Sequence, residues 1–320
     1  MKTALKVVGI LLLVLVVAGG GFYAWASSAT GRVLARKIPI HSVDFPVPFP
    51  LDSAEAKRMR LKPDSAQKLA LARGIERGRH LIDSRYACKE CHGENLGGGV
   101  MVDAAPVGKI HGPNITMGKG SKTLNYTVRD WDRIVRHGVR PDSTPAVMPS
   151  VDFKRVTDQE LADLISYIRS MPPVDNEEPP VTLGPVLKFS VALAQVKVAA
   201  DEIDHNAGHA VLPPDIGNTL EYGRHMATVC TGCHQEDYSG GPIIGGPPSW
   251  PPAANITPAG IGGYKLENFV TLMREGKGPA GNLLREPMKD IAKFGKNMSD
   301  QEIAALFAYL QTVPPVEIKN

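Results

Sequence analysis

The stretch YACKECHGENLGGG, residues 86–99, places two cysteines three positions apart, with a histidine directly after the second. The chain repeats this arrangement in TVCTGCHQEDYSGG, residues 228–241, and the two CxxCH motifs use all 4 of its cysteines. One such motif can hold a haem, a metal ion or a disulfide. Its surroundings therefore have to distinguish these alternatives.

An internal repeat surrounds the two motifs. Four landmarks follow each other in the same order in both halves: Gly-Arg-His, CxxCH, Asn-Ile-Thr and Pro-Pro-Val. They stand at 78–80, 88–92, 114–116 and 172–174 in the first half, and at 223–225, 230–234, 255–257 and 314–316 in the second. We therefore predict two homologous domains at 63–174 and 213–320, called here the first and second repeats, with a linker at 175–212 between them.

Each repeat closes with a predicted helix. Thr157 with Glu160, and Ser299 with Glu302, have the spacing of a capping box, and a Pro-Pro pair stops each helix. Amphipathic helices are also predicted ahead of both CxxCH motifs, whereas the segments between the landmarks are rich in Gly and Pro and show no convincing strand alternation. The fold class is therefore mostly α with long loops. In the linker we expect one helix from about Val186 to Ala200, lying on both repeats as an amphipathic strut.

The local composition of the motifs favours haem c over the other two chemistries. Thioether bonds from two cysteines hold the two vinyl groups of the haem, and the next histidine then falls under the iron. A zinc site needs four ligands, and a thioredoxin-like disulfide needs a βαβ setting, which neither half supplies. The prediction is two covalently bound haem c groups, attached through Cys88, Cys91, Cys230 and Cys233, with His92 and His234 as iron ligands.

The repeat also identifies a second axial ligand for each iron. Most methionines face a hydrophobic residue in the other half, which is the pattern of core packing. Met148 and Met288 alone correspond to each other, each beside a proline and ahead of the last helix. We therefore predict His/Met coordination by Met148 and Met288, which raises the reduction potential and closes the iron to small ligands.

Other polar residues near the motifs are further candidates for the site. His80 and His225 coincide in the repeat and are interpreted as structural, with an alternative axial ligand as the other possibility. Arg136 and Arg274 also coincide and fit either a haem propionate or a solvated helix face equally well. The remaining histidines considered have no counterpart in the other half and are expected to carry no function: His111, His137, His205 and His209.

The N-terminal segment predicts export. No residue from Val7 to Ala26 is charged, and such a helix matches the thickness of the hydrocarbon layer, about 30 Å. Interfacial aromatics at Tyr23 and Trp25 favour a retained anchor at residues 1–30. The alternative is a signal peptide cleaved after Ala24-Trp25-Ala26. Residues 31–62, rich in proline, are expected to form an extended, partly stiff spacer that lifts the first repeat off the membrane.

With these landmarks in place, the chain resembles the class I c-type cytochromes, and in particular membrane-anchored dihaem cytochromes and the cytochrome c subunits of bacterial periplasmic alcohol and sugar dehydrogenases. The resemblance covers about 78–174 and 223–316. It implies two tandem class I cytochrome c domains after an N-terminal transmembrane helix, with methionine as an axial ligand. It also implies that the leading and last helices of each domain cross at a glycine facing an aromatic, Gly78 with Tyr167 and Gly223 with Tyr309. Subunits of this type commonly carry three such domains, and two are recognised here.

The expected function is one-electron transfer rather than catalysis. Because haem c is attached outside the cytoplasm, we expect a single-pass protein of a bacterial inner membrane with both haem domains in the periplasm. Its expected partners are a dehydrogenase or quinol-linked donor and a terminal oxidase or soluble carrier. A net charge of +3 is too small to argue for nucleic acid. A dihaem peroxidase is the alternative enzyme, and a haem-based sensor is a third class.

Overall fold

The computed structural model describes residues 2–243, 246 and 249–317. The undescribed positions fall at the first residue of the predicted anchor and within the second repeat, and predictions for them lie outside the described residues. The described part is mostly helical, as predicted. Its α-helices are α1 (Lys2–Ala35), α2 (Ser53–Arg58), α3 (Pro63–Ser84), α4 (Cys88–His92), α5 (Val128–His137), α6 (Asp158–Ser170), α7 (Pro185–Ala192), α8 (Thr219–Met226), α9 (Thr231–His234), α10 (Pro258–Ile261), α11 (Leu266–Glu275), α12 (Met288–Gly295) and α13 (Asp300–Leu310).

One small antiparallel sheet accompanies the helices in the described residues. Strands β1 (Gly99–Ala104) and β2 (Gly108–Gly112) form a hairpin, and β3 (Thr182–Leu183) from the linker pairs with β2. The sequence did not predict these strands, because β1 is largely exposed and its partner begins and ends with glycine. Neither strand therefore shows the alternating pattern of a half-buried strand.

The same helix crossing forms the core of both repeats. In the first repeat α3 packs across α6, and in the second α8 packs across α13. Capping boxes at Thr157 and Ser299 begin the last helices as predicted. The apolar faces of these helices form two separate hydrophobic clusters, one in each repeat, with Leu161 and Ile165 fully buried in the first and Ile303 in the second.

Glycine at each crossing allows the backbones to touch. A Cβ added to Gly78 would overlap the carbonyl oxygen of Asp163 and lie 2.8 Å from Cβ of Tyr167. A Cβ at Gly223 would overlap the carbonyl of Ala305 and lie 2.8 Å from Cβ of Tyr309. The expected pairing of each glycine with an aromatic is confirmed.

Replacing Gly78 with alanine is therefore expected to destabilise the protein by about 1–3 kcal/mol, the usual cost of overpacking. The obstacle is backbone rather than a flexible side chain, so relaxation requires α3 to move away from α6. Urea unfolding of the haem-loaded protein measures the change. Gly208→Ala is the control, because no atom lies within 4 Å of the added Cβ. A neutral Gly78→Ala would contradict the close crossing.

Residues 36–52 form no helix or strand, but the predicted extended spacer at 31–62 is partly helical, because 31–35 continue α1 and Ser53–Arg58 form α2. The Pro-rich part is also not a free spacer. Phe45 is buried in the hydrophobic cluster of the first repeat, and Val47 and Phe49 pack against the same cluster. The backbone N–H of Val43 donates to Asp132 of α5 at 2.7 Å. The apolar residues that alternate with the prolines thus attach this segment to the first repeat.

The linker helix is shorter than predicted and packs elsewhere. α7 ends at Ala192, and Ala194 then adopts a positive φ of 55° that breaks the helix. Instead of lying on both repeats as a strut, α7 packs against α1: Phe189 stacks on Phe22 with ring centroids 4.7 Å apart, and Lys188 donates to the Tyr23 hydroxyl at 2.9 Å. The aromatic residues of α1 provide the apolar face that this helix covers.

The first helix meets the length and composition of a membrane span. Residues Thr3–Ala35 of α1 have a mean hydropathy of 2.5 in their most apolar window, and that window is not buried against the rest of the molecule. By those criteria α1 can cross a bilayer. The C-terminal end of α1 joins the folded part through the pair Arg36–Asp201 and a small cluster around Val139 and Val198.

Candidate functional site

The CxxCH motifs form short helices whose histidines are held by the backbone. His92 Nδ1 donates to the carbonyl oxygen of Pro113, and His234 Nδ1 donates to that of Ala254, both at 2.7 Å. A carbonyl oxygen only accepts, so Nδ1 carries the proton and Nε2 is the nitrogen with a free lone pair. Burial lowers the pKa of both histidines against the opposing effect of this hydrogen bond. Each repeat thus presents a neutral, oriented imidazole.

The first cysteine of each CxxCH motif lies at an apolar site. Cys88 packs against the first hydrophobic cluster and Cys230 against the second, and none of the four cysteines forms a disulfide. Burial raises the pKa of both Cys88 and Cys230 to about 12. Two unbridged cysteines, the first beside an apolar cluster, followed by a histidine oriented through Nδ1, fit the attachment of one haem c per repeat.

The predicted methionines lie in the same clusters as the thiols. Met148 is half-buried against the first cluster, which Cys88 also contacts, and Met288 is half-buried against the second with Cys230. Met148 precedes a 3₁₀ turn at Ser150–Phe153, whereas Met288 begins α12. The structure therefore brings thiol and thioether of each repeat to one apolar region.

The asparagine of each Asn-Ile-Thr triplet binds the backbone at the end of its repeat. Asn114 Nδ2 donates to the carbonyl of Val174 at 2.6 Å, and Asn255 Nδ2 donates to that of Val316 at 2.6 Å. Sequence reasoning used these triplets only as landmarks of the repeat. Their recurrence next to Pro113 and Ala254 was the available signal that they fix the loop holding the histidine of each CxxCH motif.

The two repeats meet through a pseudo-twofold interface. His80 of the first repeat contacts the capping-box Glu302 of the second at 2.8 Å, and His225 contacts the capping-box Glu160 of the first at 2.8 Å. Both repeated histidines therefore bond to capping-box carboxylates at the interface, which agrees with their interpretation as structural residues. Arg85, which the sequence analysis did not single out, adds a buried ion pair with Glu160 at 2.9 Å.

The CxxCH motif of the second repeat packs against the segment of the first repeat that follows Met148. Gly232, inside the second CxxCH motif, abuts the carboxylate of Asp152, and Val229 packs against the first hydrophobic cluster. Reciprocally, α12 packs against α3, and Asn297 Nδ2 donates to the carbonyl of Asp83 at 2.9 Å. Because the exchange is reciprocal, the two candidate sites are neighbours across one interface.

The repeated arginines have a role that neither prediction described. Arg136 is fully buried and donates to Asp158 at 2.7 Å and to the carbonyl of Val156 at 2.8 Å. Arg274 makes the equivalent contacts with Asp300 and the carbonyl of Met298. Both arginines thus tie one helix to the start of the last helix of their repeat.

The charges of His80 and Glu302 make the stability contributed by their contact depend on pH. The hydrogen bond with Glu302 raises the pKa of His80, while burial acts in the opposite direction. Burial alone would raise the pKa of Glu302, but the hydrogen bond with His80 lowers it overall. By linkage, the histidine stabilises the fold below its ordinary pKa of 6.5 and loses this contribution as pH rises through the folded pKa. The Glu302 carboxylate stabilises the fold above its ordinary pKa of 4.5 and loses this contribution as pH falls through its folded pKa.

His80→Gln is therefore expected to lower the free energy of unfolding at about pH 5.5 and to have less effect at about pH 9. Glutamine can still hydrogen-bond to Glu302 but carries no charge. Urea unfolding of both proteins at the two pH values tests this, with the exposed His41→Gln as control. An equal effect at both pH values would mean that the charge does not contribute.

Comparison with known proteins agrees with the repeat. The family model described as cytochrome c matches the chain twice, at residues 75–172 and 221–314. The fructose dehydrogenase cytochrome subunit of Gluconobacter japonicus is 28% identical over 279 residues, covering 79% of this chain and 54% of that subunit. The alcohol dehydrogenase (quinone) cytochrome c subunit of Gluconacetobacter polyoxogenes is 25% identical, covering 72% of this chain and 54% of that subunit.

A relative described as dihaem is also similar. The diheme cytochrome c-type protein of Cereibacter sphaeroides is 26% identical over 222 residues, covering 64% of this chain and 72% of that protein. By contrast, the chain spans about half the length of the two dehydrogenase subunits, 54% in each case.

Proposed function

We propose a function from the premise that this chain belongs to the cytochrome c family and carries two covalently bound haem c groups that transfer electrons. It passes electrons from a dehydrogenase or quinol-linked donor to a terminal oxidase or soluble carrier in a respiratory chain. The observation that carries the proposal is the orientation of His92 and His234. Each donates Nδ1–H to a backbone carbonyl at 2.7 Å and presents Nε2 for an axial bond.

The proposed second ligands are Met148 and Met288. Each is half-buried against the cluster that holds the first cysteine of the same repeat. When bound, haem iron supplies a reversible one-electron couple. The thioethers would exclude water and small ligands from it, and the buried apolar residues around them would keep the surroundings dry.

The interface between the repeats supports an internal relay. The second CxxCH motif lies against the segment that follows Met148, and α12, which begins at Met288, lies against α3. The contacts of Glu160 with His225 and of Glu302 with His80, each to the other repeat, hold this arrangement. We propose that an electron entering one repeat leaves through the other.

We place the protein in the inner membrane of a bacterium, with α1 as a single anchor and both repeats in the periplasm. The apolar span of α1 supports the anchor, and attachment of haem c outside the cytoplasm supports the orientation. Division of the chain at 1–30, 31–62, 63–174, 175–212 and 213–320 remains a prediction. A dehydrogenase partner is supported by the names of the two dehydrogenase relatives.

The peroxidase alternative is not supported. The relatives described above are cytochrome subunits and a dihaem cytochrome c, and a peroxidase needs an iron whose axial position opens to peroxide. Met148 and Met288 at equivalent positions argue for two closed sites.

The function is tested with the haem-loaded protein, affinity-purified in mild detergent from the membranes of cells that produce it. Fructose, ethanol, gluconate or decylubiquinol is added under anaerobic conditions, and the haem α-band is followed. We expect one of these donors to reduce both haems and a soluble oxidised cytochrome c to reoxidise them. Reduction by dithionite alone, or rapid turnover of peroxide, would contradict the proposal.

A further inference from the structure

Three histidines without counterparts in the repeat meet outside the two haem sites. His137 ends α5, and His205 and His209 stand four apart in the linker. The ring centroid of His137 lies 5.2 Å from that of His205 and 5.4 Å from that of His209. Asp132 of α5 lies beside His137. The expectation that these histidines carry no function was based on the repeat alone, which cannot reveal a site built between a repeat and the linker.

A chain of hydrogen bonds indicates which nitrogens of His205 and His137 donate. His205 Nε2 contacts the carbonyl of Ala200 at 3.0 Å and must donate to it. The other nitrogen, Nδ1, then accepts from His137 Nδ1 at 3.0 Å. His137 is therefore left with an unprotonated Nε2, which is buried and has no hydrogen-bond partner among the described residues. A buried lone pair without a partner is costly and calls for a ligand.

Two further lone-pair donors point to the same place. His209 Nδ1 accepts from Arg136 at 3.2 Å, so it also presents a lone pair, and Asp132 supplies a carboxylate. His137 Nε2 lies 3.9 Å from Asp132 Oδ2, and His209 Nδ1 lies 3.9 Å from Asp132 Oδ1. One ligand atom from each of the three residues lies within 4.8 Å of the others.

These distances are close to those of a metal site. Ligands bound at 2.0–2.1 Å in a tetrahedron lie about 3.3 Å apart. The two histidine–carboxylate pairs, at 3.9 Å, therefore have to approach by about half an ångström, and the two histidine nitrogens start within 4.8 Å of each other. Metal binding would replace the long hydrogen bond from Arg136 to His209. The preset His137 tautomer is the one that metal-binding histidines show, with the second nitrogen donating to a neighbouring group.

The local charge also suits a cation. Arg136 is the fully buried positive group, and it is paired with two carboxylates, Asp132 and Asp158. This leaves the buried network with one net negative charge. His137 and His209 also line a cleft of about 540 Å³, which gives an ion access from solvent.

We propose that this cluster binds one divalent transition-metal ion, Zn²⁺ or Cu²⁺, through His137 Nε2, His209 Nδ1 and the carboxylate of Asp132. His205 is a positioning residue that holds the His137 ring. Because imidazole with one carboxylate is a preferred donor set for these ions, hard cations such as Ca²⁺ are not expected to compete. The ion would fasten the linker to α5 of the first repeat, independently of electron transfer.

Isothermal titration of the haem-loaded protein with ZnCl₂, after treatment with EDTA and dialysis, tests the proposal. We expect one Zn²⁺ per chain, no binding by His209→Ala, binding weakened about 10–100-fold by His205→Ala, and no change in His41→Ala. His209 lies on the linker, so its variant is expected to fold, and unchanged haem spectra would verify this. Asp132→Asn provides a second test of the ligand set.

Thermal unfolding adds a second measurement. Zn²⁺ should raise the melting temperature of the wild-type protein but not that of His209→Ala, since only a ligand bound to the folded state stabilises it. Wild-type protein that binds no Zn²⁺, or Zn²⁺ binding that survives both His209→Ala and Asp132→Asn, would overturn the proposal.

Discussion

Replacing Met148 with alanine is expected to convert one of the two haems from a closed to an open site. The sulfur-to-ferric-iron charge-transfer absorbance should fall by half, and the reduced protein should bind one carbon monoxide per chain. Because thioether ligation raises the potential, one of the two reduction potentials should fall by on the order of 100 mV or more, within the roughly 0.8 V that axial ligands span.

Met171→Ala is the matched control for Met148→Ala. Met171 packs against the same hydrophobic cluster but occupies a position where the other repeat has a valine, Val313. We expect it to lower stability without changing the spectrum or carbon monoxide binding. The corresponding pair in the second repeat is Met288→Ala with Met273→Ala. Spectra that do not distinguish Met148→Ala from Met171→Ala would remove Met148 as the ligand.

Replacing Glu160 with alanine is expected to give the second large effect, a loss of about 3–5 kcal/mol in the free energy of unfolding. The side chain of Arg85 is only 2% exposed; it forms a buried ion pair with Glu160 inside the first repeat and also donates to the carbonyl oxygen of His225 in the second. Burial alone would raise the pKa of Glu160, but Arg85 and the hydrogen bond with His225 lower it to about 2. Without Glu160, the Arg85 charge stays buried without its carboxylate.

Glu302→Ala is the control, because Glu302 has the same position in the second capping box. Its partner His80 has a side chain that is 39% exposed and can be solvated or deprotonated. Both variants lose the capping box, which costs about 1 kcal/mol, so the difference between them reports the stranded Arg85. Urea unfolding at neutral pH measures both. Equal losses would show that the buried pair adds nothing beyond the cap.

The internal repeat explains how much the sequence could predict. CxxCH and the capping boxes at Thr157 and Ser299 are local patterns, and a pattern that appears twice at equivalent positions is hard to attribute to chance. The glycine crossings join distant residues and were expected from the resemblance to class I cytochromes. The structure confirms the capping boxes and the crossings. The ligand assignment of Met148 and Met288 has the same basis and remains a prediction.

Contacts that break the repeat could not be predicted in this way. Arg85 lies in a stretch without a counterpart, and nothing in its neighbours indicates that Glu160, 75 positions away, will pair with it. The cluster of His137, His205 and His209 joins one repeat to the linker, so comparison of the repeats removed it from consideration. The placement of α7 on α1 depends on aromatic stacking between Phe22 and Phe189, which periodicity does not encode.

The central claim is that each repeat holds one covalently attached haem, closed on both axial sides, and that the pair carries electrons. Spectroelectrochemical titration of the purified protein, with carbon monoxide added at full reduction, tests this most directly. The account predicts two one-electron transitions per chain and no spectral change with carbon monoxide. A single transition, or carbon monoxide binding by the wild-type protein, would contradict it.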